Sequence, residues 1–94
     1  MSLTKQHLMD ELRVLLAENR LVARVTRNML KYEFAEPTRG QLIASLAAHA
    51  VIWEKSRVMF AEDFRTVCGA MITLVNEFEC SLEELQSLLP EEGV

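Results

Sequence analysis

Apolar side chains recur at helical spacing from residue 8 to residue 34, with no Gly or Pro among the first 36 positions. Leu8, Leu12, Leu16, Ala23, Leu30 and Phe34 are spaced 4, 4, 7, 7 and 4 and form one stripe. Val14, Leu21, Val25 and Tyr32, spaced 7, 4 and 7, form a second stripe on roughly the opposite side at about 100° per residue. Leu15 and Val22 fall between the two. This pattern predicts a first helix from about Thr4 to Ala35, ended by Pro37, which disfavours helical backbone at Glu36. Unless it kinks near Glu18-Asn19, such a helix is roughly 45–50 Å long at about 1.5 Å per residue.

Thr38 with Gln41, and Ser81 with Glu84, have the spacing of capping boxes and mark two further helix starts. The second opens a short helix containing Leu85, Leu88 and Leu89, stopped by Pro90. In between, Leu42, Leu46, Trp53 and Phe60 keep phase with Phe64, Val67, Met71 and Phe78. One long helix is therefore open, but a break is expected near Ala61-Glu62-Asp63, because acidic residues favour a helix's first turn. Ala44, Ala47, Ala48, Gly69 and Ala70 would permit close helix approach on one side. Gly69 then reads as a packing device or a local irregularity, since Gly inside a helix costs roughly 1 kcal/mol relative to Ala. No segment alternates with period two, and hairpin dipeptides are absent. The expected fold is all-α: residues 1–94 as a single domain with three main helices and a short C-terminal one.

Composition excludes disorder and low-complexity architectures, since 50% of the chain is apolar and 26% charged, with three Gly and two Pro. A compact chain of this length has a radius of gyration near ~12 Å and a diameter of about 32 Å. A straight first helix would overhang it, and two apolar arcs suggest two neighbours where one neighbour needs only one arc. A homodimer is the expectation, with Val14, Leu21, Val25 and Tyr32 at its interface. No apolar run approaches the ~18 residues of a membrane span, and the first residues lack a signal-peptide core. Cys68 and Cys80 are then expected as reduced thiols in a cytoplasmic protein.

The formal net charge is −4, which argues against wholesale wrapping of nucleic acid. It is unevenly spread: residues 1–57 carry nine basic and six acidic side chains, residues 58–94 one and eight. Arg13, Arg20, Arg24, Arg27 and Lys31, spaced 7, 4, 3 and 4, would fall within about 60° on one helix. Such a ridge needs an anion nearby. Acidic residues of the C-terminal part (Glu77, Glu79, Glu83, Glu84) could supply it, as could an acidic protein partner or a phosphate backbone. Nucleic acid ranks below protein, because the ridge has no base-reading side chains of its own and no aromatic residue interleaves the cations.

Catalytic and metal constellations are sparse. His7, Asp10 and Glu11 share a helix face, but a di-metal bundle needs such sets on other helices too. Cys68 and Cys80 have neither CxxC spacing nor a His partner at zinc-finger spacing, and read as core residues. Ser45 and His49 lie one turn apart without an orienting acid, so His49 reads as a half-buried structural residue. The expectation is a non-enzymatic protein without cofactor or metal, a small adaptor, regulator or chaperone-like molecule. It would bind another macromolecule through the apolar and basic surface of its first helix, with nucleic-acid binding through the same ridge as the alternative.

Overall fold

The computed structural model describes residues 4–31, 36–54 and 61–91, with side chains for all of these except Trp53 and Glu54. Tyr32, Phe34 and Phe60 lie outside that set, so their expected roles are not addressed. The fold is all-α: α1 (Lys5–Glu18), α2 (Arg20–Met29), α3 (Arg39–Glu54), α4 (Ala61–Phe78) and α5 (Leu82–Gln86), with no strand among the described residues.

The long first helix does not exist. Thr4 opens α1 by accepting the His7 N–H at 3.1 Å, and α1 ends after 14 residues at Asn19, whose backbone is extended (φ −125°, ψ 93°). The Asn19 N–H closes α1 on the Leu15 carbonyl at 3.1 Å, and its own carbonyl accepts from Ala23 at 3.0 Å to begin α2. Its side chain accepts the Val22 N–H at 3.1 Å, satisfying one of the donors a helix start leaves free. The amide of Asn19 donates to Asp63 Oδ2 at 3.1 Å, pinning the junction to the first turn of α4. At the other end α2 stops at Met29, and Lys31 is already outside the helix, well short of the expected Ala35. The break also rotates the buried face. Leu8, Met9, Leu12 and Leu16 are buried on α1, but Val22, Ala23, Thr26 and Met29 on α2. At about 100° per residue the two sets differ in phase by roughly 70°.

Thr38 forms the expected capping box with Gln41: the Gln41 N–H donates to Thr38 Oγ1 at 3.2 Å and the Thr38 N–H to Gln41 Oε1 at 2.9 Å. Arg39, at the start of α3, donates to the carbonyl and side-chain oxygen of Asn76 near the end of α4. The two helices are therefore antiparallel, and the single long helix is excluded. Continuous helix would hold Arg39 and Asn76 about 55 Å apart, while the longest dimension of the molecule is 32 Å.

The central element is α4, which packs against α1, α2 and α3. It buries Phe64, Val67, Cys68, Met71, Leu74 and Val75. Full burial of a side chain such as Phe64 stabilises by about 2–3 kcal/mol. Among the described side chains of α3, Leu42 and Leu46 are buried, with Ile43 and Ala50 partly buried against the core. Of the small residues expected to permit close packing, Ala70 packs against the core, while Ala44, Ala47, Ala48 and Gly69 are exposed. A Cβ built on Gly69 would meet nothing within 4 Å, so Gly69 is neither a packing device nor an irregularity in α4.

Beyond α4, Glu79 takes the left-handed conformation (φ 56°), at a cost of roughly 1–2 kcal/mol for a residue with a Cβ. The Cys80 N–H turns back to the Leu74 carbonyl at 3.0 Å. Ser81 and Glu84 form the second capping box, and α5 buries Leu85 with Leu88 just after it. Two contacts tie this segment to the N-terminal helices: Lys5 Nζ lies 2.7 Å from Glu84 Oε2, and Gln86 Nε2 donates to the Leu30 carbonyl at 2.9 Å.

Candidate protein-binding surface

The break at Asn19 divides the basic ridge between two helices. Arg13 remains on α1, where it bonds Asp10 Oδ1 at 3.0 Å. Arg20 and Arg24 are exposed on α2, one turn apart. Arg27 is half-buried and donates to the Pro90 carbonyl, so among the described residues the C-terminal segment meets it through backbone. Lys31 is exposed beyond the end of α2. Glu84 pairs with Lys5, and Arg20, Arg24 and Lys31 pair with no carboxylate among the described residues. The internal neutralisation expected from Glu77, Glu79, Glu83 and Glu84 is absent among those residues.

Two large apolar side chains of these helices are exposed, Val14 on α1 and Leu21 on α2. Val14 and Leu21 are each 56% exposed. Leu21 follows Arg20 directly and precedes Arg24 by three positions, so the solvent face of α2 carries an apolar side chain beside two cations that have no carboxylate partner among the described residues. Val25 packs partly against the core instead, because the rotated phase of α2 turns it inward. The overhang of a 45–50 Å helix, one reason for expecting a dimer on this surface, disappears with the helix itself.

The Lys5 ammonium is held above its ordinary pKa by its bond to Glu84, and the Glu84 carboxyl below its own by Lys5 and the Ser81 backbone. Burial pushes the Cys68 thiol up to about 12, with its Sγ 4.0 Å from Met29 Sδ. Cys80 is shifted the same way by burial. Both cysteines are free. His49 is half-buried with Nδ1 2.8 Å from the Ser45 carbonyl. His7, Asp10 and Glu11 are all exposed, and Asp10 is bonded by Gln6 and Arg13. Among the described residues, no group of three or more His, Cys, Asp or Glu is placed to hold a metal ion. No described helix is long and apolar enough to cross a membrane.

Sequence reasoning gives a kink near Glu18-Asn19 only as the alternative to one straight helix, and it misses the cap by which Asn19 ends α1, begins α2 and sets how the cations are presented. Its signal was present: Asn is among the best N-cap residues, and Arg20 onward resumes the helical pattern. No protein-family model matches the chain, and comparison with curated proteins and with solved structures likewise finds no match.

Proposed function

We propose that this chain is a small non-enzymatic adaptor or regulator that binds an acidic protein partner through the solvent face of α2. One observation carries the reading: Leu21 is exposed between Arg20 and Arg24, and neither cation is neutralised among the described residues. An isolated surface Leu needs no explanation. Placed beside two free guanidinium groups, it offers the combination that a mixed apolar and acidic epitope recognises. Arg supports this better than Lys would, because its planar fork binds carboxylates in pairs and is enriched at interfaces. Val14 of α1, equally exposed, would extend the contact.

The test compares wild type with Arg20→Glu/Arg24→Glu and with Leu21→Asp in affinity capture from the source cell, followed by titration of each recovered partner. The reading requires a partner with an acidic surface, whose affinity falls roughly tenfold or more in the double variant and weakens with salt. Retention by the variants of everything wild type retains would overturn it. Duplex DNA or RNA binding at physiological salt, lost in the double variant, would instead establish the nucleic-acid reading, with log affinity falling by about 0.9 per neutralised phosphate on duplex DNA.

A further inference from the structure

A partly open cavity of about 230 Å³ lies where the start of α3, the end of α4 and the start of α5 meet. Leu42 and Val75 form its floor, and the half-buried Leu82 forms a wall. Charges of both signs surround this apolar base: Arg39 on α3, Glu36 before it, and Glu79 after α4. All three are exposed. They do not cancel one another. Among the described residues no ion pair joins Arg39 to Glu36 or Glu79, and neither carboxylate has another partner. Arg39 commits Nη2 to the carbonyl and side chain of Asn76. Those bonds hold the guanidinium in place and leave Nη1 and Nε without a partner among the described residues. Glu79 keeps the left-handed backbone described above, at a position that ordinarily takes Gly. Strained residues of this kind cluster where ligands are held, and this one lines the cavity.

We propose that this cavity binds a free amino acid with a large apolar side chain. The carboxylate of the ligand accepts from Arg39, and its ammonium donates to Glu79 and Glu36, since three N–H groups can serve both. Its side chain lies on Leu42, Val75 and Leu82. A guanidinium and carboxylates that share one cavity without pairing ask for a ligand carrying both charges close together. A free amino acid has both on one carbon, whereas either end of a peptide has only one. The size agrees, because the cavity falls below the ~300 Å³ at which sites for drug-sized molecules begin. None of the lining residues belongs to α1 or α2, so the site is independent of the protein-binding surface.

Titration of isotope-labelled protein with leucine, methionine and phenylalanine, followed by amide chemical shifts, tests this. Saturable shifts should centre on residues 36–42 and 75–82. Leucinamide lacks the carboxylate and 4-methylpentanoate the ammonium. Each should bind roughly fivefold more weakly than leucine, the upper end for an exposed ion pair, and glycine should not bind. Arg39→Gln should lower leucine to the affinity of leucinamide, and Glu79→Gln should lower it toward that of 4-methylpentanoate. Glu79→Gly separates site from fold: it relieves the left-handed backbone, so thermal stability should rise while leucine affinity falls. No saturable shift with any of the three amino acids overturns the proposal. So does equal affinity for leucine, leucinamide and 4-methylpentanoate, or a Glu79→Gly variant that binds leucine as wild type does. If Arg39→Gln unfolds through loss of the Asn76 bonds, the ligand series on wild type and the Glu79 variants decide.

Discussion

Replacing Asn19 by Ala removes two interactions that hold the α1–α2 junction. The first is the cap: the bond from the Val22 N–H to Asn19 Oδ1 at 3.1 Å. Losing an Asn cap to Ala costs about 0.5–2 kcal/mol, typically near 1. The second is the amide bond to Asp63 at 3.1 Å, an exposed contact between residues 44 apart in sequence, contributing about 0.5–1 kcal/mol. Together they predict a loss of about 1.5–2 kcal/mol, and a melting temperature lower by about 6–12 °C for a domain of this size. Thermal unfolding followed by far-ultraviolet circular dichroism measures it. Asn19→Asp separates the contributions. A carboxylate still accepts from Val22 and suits a helix N-terminus, but it cannot donate to Asp63 and repels it. Its loss should therefore be smaller than that of Ala and should shrink with added salt. Unchanged or higher stability in Asn19→Ala, with a gain of helical signal, would refute the reasoning. It would mean that α1 and α2 merge at little cost and that Asn19 does not fix the break.

Four further outcomes follow from particular side chains. Gly69→Ala should stabilise by roughly 1 kcal/mol, because the added Cβ meets nothing within 4 Å; denaturant titration giving no gain would contradict that placement. Thr26→Val should stabilise by about 1 kcal/mol in the same assay, since the fully buried Thr26 hydroxyl has no hydrogen-bond partner among the described residues. The lowered pKa of Glu84 means its contribution is complete above the unfolded value of ~4.3 and disappears as pH falls through the lower folded value. Stability curves of wild type and Glu84→Gln should therefore differ at neutral pH and converge in acid; a constant offset down to low pH would count against the Lys5–Glu84 pair. With both cysteines buried and Cys68 raised to about 12, a thiol reagent at mildly alkaline pH should label native protein far more slowly than unfolded protein, and equal rates would show that the core opens there.

Most of the fold was legible where one side chain decides a local contest. Thr38 with Gln41 and Ser81 with Glu84 act within a turn, so their capping boxes could be read directly from spacing. Leu8, Leu12, Leu16, Ala23 and Leu30 are buried as their stripe implied, although the buried face of α2 is turned relative to that of α1. The break at Asn19 was harder. No Gly or Pro forces it, and the deciding partner, Asp63, lies on another helix. Once the chain is broken there, phase arguments carried across it mislead: Val22 becomes fully buried and Val25 turns inward. The turn at Glu79 was equally hidden, since its left-handed backbone would ordinarily call for Gly. The openness of α3 was not legible either. Uniform apolarity indicates burial but not against what, and only the packing shows that α4 covers one side.

The junction also decides which kind of anion the cations suit. A continuous helix would align Arg13 through Lys31 as a rail about 27 Å long, a shape matched to successive phosphates on an extended polyanion. In the folded chain Arg13 is bonded to Asp10 on α1 and Arg27 to the Pro90 carbonyl. What pairs with no carboxylate among the described residues is Arg20 and Arg24 on α2, about 6 Å apart along the axis with Leu21 beside them, and Lys31 beyond its end. Three neutralised phosphates would supply a salt slope of only about −3, below that of proteins held on duplex by six or more phosphate contacts. The same two guanidinium groups are well suited to a pair of carboxylates on a folded surface, and Leu21 adds apolar burial that a phosphate backbone cannot repay. The division of the ridge at Asn19 is thus the physical reason for ranking an acidic protein above a nucleic acid.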